Sequence, residues 1–257
     1  PNHPRPDRGI VNDVAVHPSN PNKVYVACRS SGIWVTNNAL ASTPAWTCIT
    51  DMLHIPGLGA TSIAIAPSDP NVLYANTGAG RGGTSFGSGV IVSVNAGATW
   101  TQASPVSPGA GVIADDIIIN PTNTLIAYAA INTALYKTTD GGATWHMVLD
   151  IELSDGPTVG DIPNNENQPA RFIHHVLLSP SDTNTVYCSA DGNKEAIDAG
   201  HDDGAIMRVS HNGGVTWTLM EPLGANSGIN WIGLSIAATP VEGSSIWAAF
   251  SGESGPG

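Results

Sequence analysis

Residues 138–145 read TTDGGATW, and closely related segments occur twice more in the chain. They read SVNAGATW at residues 93–100 and SHNGGVTW at residues 210–217. A degenerate copy begins with TNN at residues 36–38 and, after an insertion, ends with AWT at residues 45–47. We call the shared pattern Ser/Thr-x-Asp/Asn-x-Gly-x-Thr-Trp the Thr-Trp motif. Recurrence of this kind predicts a repeat protein.

Each recurring position of the Thr-Trp motif suits a structural task. Asp or Asn can bond back to the turn backbone and tolerates unusual dihedral angles, and Gly suits a turn position with positive φ. The Trp is expected to start the next strand and to bury its ring against its own hairpin. The motif residues should therefore fold the repeat without touching a ligand. They are Asn95, Gly97, Trp100, Asp140, Gly142, Trp145, Asn212, Gly214 and Trp217.

A second repeat accompanies the Thr-Trp motif. It consists of an apolar run, a Pro, and a Tyr or Trp seven residues after the Pro, and it occurs five times. The pairs are Pro18 with Tyr25, Pro67 with Tyr74, Pro121 with Tyr128, Pro180 with Tyr187, and Pro240 with Trp247. The prolines are 49, 54, 59 and 60 residues apart. A constant step within a varying period indicates a fixed hairpin with variable loops elsewhere.

Together, the two repeats predict an all-β fold, a β-propeller of four-stranded antiparallel blades. Strand one is the apolar run before the Pro, strand two centres on the Tyr, strand three ends at the Thr-Trp motif, and strand four starts at its Trp. Strand three is expected at residues 33–36, 90–93, 135–138 and 206–210. About four and a half blades are present, at residues 10–50, 60–105, 112–151 and 171–222, with a partial fifth blade at 230–257.

The composition agrees with short strands and tight turns. Of 257 residues, 29 are Gly and 19 are Pro, and only 12% are charged. The formal net charge of −12 disfavours binding to nucleic acid, whose phosphates it repels. No apolar run approaches the roughly 18 residues of a membrane helix, so no membrane span is expected. Sparse Lys beside many Asn, Thr, Ser and Gly is typical of a secreted, extracellular protein.

The Thr-Trp motif resembles the Asp-box, or BNR repeat, of sialidases, sortilin-type receptors and xyloglucanases of glycoside hydrolase family 74. The companion segments HPSNPNKVYVA (residues 17–27) and APSDPNVLYAN (residues 66–76) are most similar to the sortilin-like and xyloglucanase-like group of secreted bacterial proteins. The resemblance covers nearly the whole chain and implies a parent propeller of about seven blades, so this propeller is expected to be incomplete. Because the family shares a scaffold and not a reaction, the activity stays open.

The two ends of each blade differ in their loops. The motif rim carries the one-to-two turns and the Thr-Trp motifs, which are short and regular. The loop-rich rim carries the two-to-three loops and the connections between blades. Its long segments are residues 50–61, 76–88, 102–113, 150–168, 191–203 and 220–230. Variable loops on a rigid scaffold usually carry binding, so we predict that a ligand binds at the loop-rich rim.

Seven residues near this rim are candidates for ligand binding: Arg81, Asp115, Asp116, Asp161, Arg171, His174 and Trp231. Arg81 is placed to grip a carboxylate or a sugar at the tip of a Gly-rich loop that lacks the Lys-Ser/Thr of a phosphate-binding loop. Trp231 suits sugar stacking or blade packing. His174 and His175 open an inner strand, where alternation should turn one towards the central channel and the other towards a neighbouring blade.

Carboxylates near the inner strand starts and on the connections are the candidates for catalysis. A glycosidase needs two of them about 5 to 10 Å apart across a bound sugar. Asp115, Asp116 and Asp161, with Asp13 and Glu166, supply the carboxylates, and a solvated surface position is the competing interpretation for each. The xyloglucanase resemblance implies a catalytic cleft between two tandem propellers, which one partial propeller does not supply.

No cofactor is required by these patterns. Residues 191–204 are acidic and Gly-rich, and hard cations take oxygen ligands from such loops. A Ca²⁺ ion bound by Asp198, Asp202 and Asp203 and a solvated acidic loop are both open, because the spacing does not match an EF-hand.

The three cysteines do not form a disulfide framework. Cys28 is expected on strand two and Cys48 on strand four of one blade, with their Cα atoms about 10 Å apart. A disulfide requires less than about 7 Å, so we expect no bond between them.

Three functions are consistent with the sequence. The first is a secreted recognition or scaffold module that binds a glycan or an extracellular protein through the loop-rich rim. The second is a polysaccharide hydrolase of the xyloglucanase kind. The third is a structural subunit of an extracellular assembly, in which the open edge of blade five pairs with a neighbouring chain. Blade five should hold two strands, at residues 231–237 and 245–250, followed by a Gly- and Pro-rich tail.

Overall fold

The computed structural model describes residues 10–53, 59–78, 87, 89–103, 114–151, 172–190, 206–220, 230–238 and 246–253. Within these ranges, every regular secondary-structure element is a β-strand. The part of the chain that the structure describes holds no helix of the length and apolarity needed to cross a membrane.

The strands form four four-stranded sheets and one two-stranded sheet, each with strand order following the chain. The first two sheets hold β1 (Val11–Val16), β2 (Val24–Cys28), β3 (Gly32–Thr36), β4 (Thr47–Cys48), and β5 (Ala60–Ile65), β6 (Leu73–Thr77), β7 (Val90–Ser93), β8 (Thr101–Gln102). The next two hold β9 (Ala114–Ile119), β10 (Ala127–Ile131), β11 (Ala134–Thr138), β12 (His146–Asp150), and β13 (Ile173–Leu178), β14 (Val186–Ala190), β15 (Ile206–Ser210), β16 (Thr218–Met220). The last holds β17 (Asn230–Ala238) and β18 (Ile246–Glu253). The predicted all-β fold of four-stranded antiparallel propeller blades is confirmed.

Two of the differences between the observed and the expected strand boundaries are informative. Strand four begins one residue after each Trp and not at it, because the Trp still belongs to the turn that the motif closes. In the fifth sheet β18 runs on to Glu253, where it pairs with Asn230, so the first three tail residues extend strand two.

The chain forms two compact units, which divide the third blade between them. One consists of Pro1–Ala129 with Tyr136–His146, and the other of Ala130–Leu135 with Met147–Gly257. In the first unit the first strands of successive blades, β1, β5 and β9, lie side by side. In the second unit β13 lies beside β17. Adjacent first strands are the arrangement that radial blades require.

The Thr-Trp motif closes on itself through side-chain hydrogen bonds. Asp140 Oδ1 accepts from the Thr138 hydroxyl at 2.8 Å and from the Thr144 N–H at 2.9 Å. Thr138 Oγ1 in turn accepts from the Gly142 N–H at 3.0 Å. Asn95 and Asn212 accept the corresponding bonds in their blades, and Asn38 accepts from the Ala45 N–H at 2.9 Å in the degenerate copy.

Replacing Asp140 with Ala should lower the melting temperature at neutral pH by roughly 2 to 4 °C, the effect of one lost turn interaction in a chain of this size. Asp140→Asn should melt like the wild type, because Asn fills this position in two other motifs. The hydroxyl and backbone N–H of Thr144, with the Thr138 hydroxyl, lower the pKa of Asp140 to about 2.

Acidification tests the same interaction. A carboxylate with a lowered pKa stabilises the fold above its unfolded value of about 3.9, and this contribution is lost as the pH falls towards 2. The gap between the wild type and Asp140→Ala in circular-dichroism melts should therefore narrow between pH 5 and pH 2. If the wild type and Asp140→Ala melt at the same temperature at pH 7, the stabilising role assigned to Asp140 is contradicted.

The Trp of the motif packs against the preceding blade as well as lying beside the Gly of its own hairpin, as Trp100 does at Gly97 and Trp145 at Gly142. The Trp145 ring meets Tyr74 of blade two edge-on, with ring centroids 6.2 Å apart. Trp217 Nε1 donates to the carbonyl of Val148 in β12 at 2.8 Å. Trp100 packs on the cluster that blades one and two share. The motif therefore joins neighbouring blades as well as closing its own turn.

Buried tyrosines make a second link between neighbouring blades. The Tyr25 hydroxyl donates to the Ala96 carbonyl, and the Tyr74 hydroxyl donates to the Thr124 carbonyl, each at 3.0 Å. Burial raises the pKa of Tyr74 and of Tyr128 to about 12, so these phenols stay protonated at neutral pH.

The cysteines lie where the strand assignment places them. Cys28 ends β2 and Cys48 lies in β4, with β3 between them. Cys28, Cys48 and Cys188 are free thiols. Burial raises the pKa of Cys188 to about 12, which is typical of an inert core cysteine.

Candidate functional site

Backbone hydrogen bonds define the motif rim. In each complete blade the Thr-Trp segment donates to the one-to-two turn of the same blade. The bonds are Ala39 N to Asn22 O at 2.9 Å, Ala96 N to Asn71 O at 2.8 Å, Gly141 N to Leu125 O at 3.1 Å, and Gly213 N to Asn184 O at 2.7 Å. This rim is thus occupied by its own hydrogen bonds, and the ligand site at the opposite, loop-rich rim stays a prediction.

Several predicted site residues lie outside the described residues. They are Arg81, Asp161, Glu166 and Arg171, together with the proposed calcium ligands Asp198, Asp202 and Asp203. Trp231 lies in β17, opposite Gly252 of β18. Within the described ranges, no three His, Cys, Asp or Glu residues are grouped so that they could hold a metal ion.

The first strands share an irregularity at the loop-rich rim. The register shifts between Val11 and Asp13 in β1, between Ala60 and Ser62 in β5, and between Ile173 and His175 in β13. A shift of this kind is a β-bulge, which breaks the simple alternation of side chains. The alternation predicted for His174 and His175 therefore does not apply, and both side chains are half-buried.

Asp13 links blade one to blade two. One of its carboxylate oxygens accepts from the Val14 N–H at 2.7 Å, and the other accepts from the Ile63 N–H of β5 at 2.8 Å. Asp13 is half-buried, and backbone N–H groups engage both of its carboxylate oxygens. Asp116 makes the same local bond, accepting from the Ile117 N–H at 2.8 Å, and both Asp115 and Asp116 are half-buried.

A pocket opens at the loop-rich rim of blades one and two. It is a small cavity of about 10 Å³, roughly the space that one water molecule takes. The lining residues are Gly32, Ile33, Thr50, Leu53, Gly59, Ala60, Thr77 and Ile91. Thr50 Oγ1 accepts from the Ile33 N–H at 2.9 Å, which ties the start of the connection after β4 to β3. The Gly78 N–H donates to the Gly59 carbonyl at 2.7 Å, which ties its end to β6.

Asp51 is a carboxylate that the sequence analysis did not single out. It is exposed and lies between Thr50 and Leu53, both of which line the pocket. Met52 beside it is 85% exposed. The signal available in the sequence is that Asp51 is the one acidic residue in the connection 50–61. An exposed carboxylate next to apolar side chains suits a sugar, whose hydroxyls need acceptors and whose C–H faces need apolar contact.

Comparison with known proteins gives the class of this fold. No family model matches the chain. Over 82% of its length the chain is 26% identical to a xyloglucanase of Hypocrea jecorina, and over 70% it is 26% identical to an oligoxyloglucan-reducing end-specific xyloglucanase of Emericella nidulans. The aligned regions are 26% and 21% of those two proteins, so the chain spans about a quarter of their length.

Solved structures with a similar fold include two glycoside hydrolase family 74 proteins. A glycoside hydrolase family 74 enzyme of Niastella koreensis superposes with a TM-score of 0.61 at 20% identity, covering 94% of this chain and 33% of that one. The family 74 xyloglucanase of Xanthomonas campestris superposes with a TM-score of 0.61 at 15% identity, covering 91% and 36%. The chain therefore has a xyloglucanase-like propeller fold.

Proposed function

We propose that this chain is part of a secreted, polysaccharide-degrading glycoside hydrolase of the xyloglucanase kind, and that its loop-rich rim contributes to the glycan site. The observation that carries the proposal is the similarity to a xyloglucanase across 82% of the chain. This similarity favours the hydrolase. The sequence alone had favoured the recognition module. The assembly function remains an untested prediction.

The loop-rich rim of blades one and two offers a carboxylate for the proposed glycan site. Glycoside hydrolysis uses two carboxyl groups on opposite sides of the scissile bond. Asp51 is exposed and stands between Thr50 and Leu53 in the sequence, whereas Asp13 already uses both carboxylate oxygens to accept backbone N–H groups. We therefore assign Asp51 to the glycan site and Asp13 to the fold.

Localisation and ligand charge fit the same proposal. The resemblance of the Thr-Trp motif to the Asp-box of secreted proteins supports secretion. A chain with a net charge of −12 suits a neutral glycan better than an anionic polymer.

Binding of xyloglucan oligosaccharides to the 257-residue chain tests the proposal by isothermal titration calorimetry. Asp51→Asn should weaken binding about tenfold or more, which corresponds to about 1.4 kcal/mol. Asp69→Asn is the matched control: it removes the same charge at an exposed position on the motif rim, where Asp69 Oδ1 accepts from the Asn71 N–H. Equal affinity for an unrelated mannan oligosaccharide, or equal loss in both variants, would contradict the proposal.

A further inference from the structure

Asp51 stands in a short turn that starts at Thr50. The Leu53 N–H donates to the Thr50 carbonyl at 3.0 Å, which closes a four-residue turn with Asp51 and Met52 as its central residues. Both central residues are exposed, whereas Thr50 is only 4% exposed. The turn therefore presents Asp51 to solvent from a buried first residue.

The hydroxyl of Thr50 fixes this turn to the sheet. β4 ends at Cys48, and the Ile49 N–H still donates to the Ile33 carbonyl at 2.9 Å. One residue later a side chain replaces the backbone as partner, because Thr50 Oγ1 accepts from the Ile33 N–H at 2.9 Å. Ile33 is fully buried, so loss of this acceptor would leave a buried N–H without a partner.

Blade three differs from blade one at the position of Thr50. Five residues after the motif Trp both blades carry an Asp, which is Asp51 in blade one and Asp150 in blade three. Leu149 precedes Asp150, and there strand β12 runs on to Asp150, which is half-buried. In blade one β4 has already ended, and the chain turns at the exposed Asp51. Thr in place of Leu thus accompanies the change from an Asp in a strand to an Asp in a turn.

The Asp51 carboxylate lies near the Cys48 thiol, which in turn contacts Thr50. The Cys48 thiol donates to the Ser31 carbonyl at 3.5 Å and lies 3.7 Å from Thr50 Oγ1. Burial raises the pKa of Cys48, and the neighbouring Asp51 carboxylate raises it further. The carboxylate, the thiol and the Thr50 hydroxyl are therefore close neighbours, so a shift of Thr50 would displace Asp51.

We propose that Thr50 is the positioning residue for Asp51: its hydroxyl fixes the turn at residues 50–53 to β3 and so holds the carboxylate where a glycan hydroxyl can donate to it. This inference rests on the proposed function, which assigns Asp51 to the glycan site. Binding groups are held in place by residues that packing and hydrogen bonds lock behind them. In this role Thr50 affects affinity only through Asp51, which distinguishes it from a residue that contacts the glycan.

Isothermal titration calorimetry of the 257-residue chain with xyloglucan oligosaccharides, well below the melting temperature, tests the inference. Thr50→Val keeps the shape of the side chain but removes the acceptor, and it should weaken binding about fivefold or more. Thr50→Ser keeps the hydroxyl and should bind within about twofold of the wild type. In an Asp51→Asn background Thr50→Val should change the affinity by less than about twofold, because the carboxylate that it positions is already gone.

Thr36→Val is the matched control, at the motif-rim end of β3. Thr36 is 1% exposed, and its Oγ1 accepts from the Asn38 N–H at 3.2 Å. Both Val variants should lower the melting temperature by about 2 °C or more, because each removes a buried hydroxyl that accepts from a backbone N–H. Only Thr50→Val should also weaken binding of the oligosaccharides.

Several results would overturn the inference. If Asp51→Asn binds weakly but Thr50→Val binds like the wild type, the positioning role is wrong and the proposed function stands. If the wild type does not bind, or Asp51→Asn binds as the wild type does, both are wrong. Equal losses of affinity in Thr50→Val and Thr36→Val would indicate general loosening, and a full additional loss in the Asp51→Asn background would mean that Thr50 acts independently of Asp51. If Thr50→Val does not fold, Thr50→Ala replaces it under the same criteria.

Discussion

Replacing Gly59 with Ala is expected to lower the free energy of unfolding by about 3 kcal/mol or more, the upper range for overpacking. A Cβ atom at Gly59 would lie 2.0 Å from the Arg29 carbonyl oxygen and 2.4 Å from the Gly78 carbonyl oxygen. Both are backbone atoms at strand ends, so neither can move aside as a side chain would. The added methyl group should therefore push the loop-rich rim of blades one and two apart.

Two measurements check the effect of Gly59→Ala. The melting temperature should fall by roughly 6 to 12 °C, at about 2 to 4 °C per kcal/mol for a chain of this size. Because Gly59 also lines the pocket, binding of xyloglucan oligosaccharides should weaken in the fraction that remains folded. Ser30→Ala, at an exposed position on the same rim, is the control and should change neither quantity. A fall in melting temperature of less than 2 °C for Gly59→Ala would contradict the prediction, because it would show that the backbone around Gly59 moves to accommodate the methyl group.

Gly142→Ala should cost about 3 kcal/mol for a different reason, because a strained backbone and a steric clash add together. Gly142 has φ of +90°, a conformation that residues with a Cβ atom rarely adopt. Its Cβ would also lie 2.7 Å from Val92 Cγ2 and 3.4 Å from Tyr74 Cε1, both in the preceding blade. The variant should therefore loosen the interface between blades two and three.

Gly141→Ala is the matched control for Gly142→Ala. Gly141 has φ of +77°, but its Cβ would meet only the end of the Leu125 side chain, at 3.2 Å. The same position in blade two is occupied by Ala96, with φ of +57°. Thermal unfolding should show a small effect for Gly141→Ala and a large one for Gly142→Ala. Equal effects would mean that backbone strain alone matters and that packing on Val92 does not.

The repeats predicted the local structure well, because they depend on contacts within one hairpin. The seven-residue step from Pro67 to Tyr74 and the Asp140 turn place strands two and three to within one residue. Contacts between blades were beyond this reasoning. The motif alone does not indicate that Trp217 donates to the carbonyl of Val148. Nor does it indicate that position 142 must be Gly because a Cβ atom there would clash with Val92.

The candidate site depends on contacts between blades, which the repeats do not specify. Asp13 looked like a solvated carboxylate because its second partner, the Ile63 N–H, lies 50 residues away in the sequence. Asp51 was missed because its neighbours Thr50 and Leu53 become pocket walls only when blades one and two pack together. The choice of the loop-rich rim as the place to search depended only on the order of strands within a blade, which the repeats do specify.

The links between blades also have a consequence for how the chain folds. Among the described residues, the bonds from Tyr25, Tyr74 and Trp217 each join blades that are neighbours in the sequence. A blade can therefore form on a finished neighbour without waiting for a distant segment, and folding can spread along the array from any starting point. For the same reason, duplication or loss of one blade in evolution would require only one new interface to be formed.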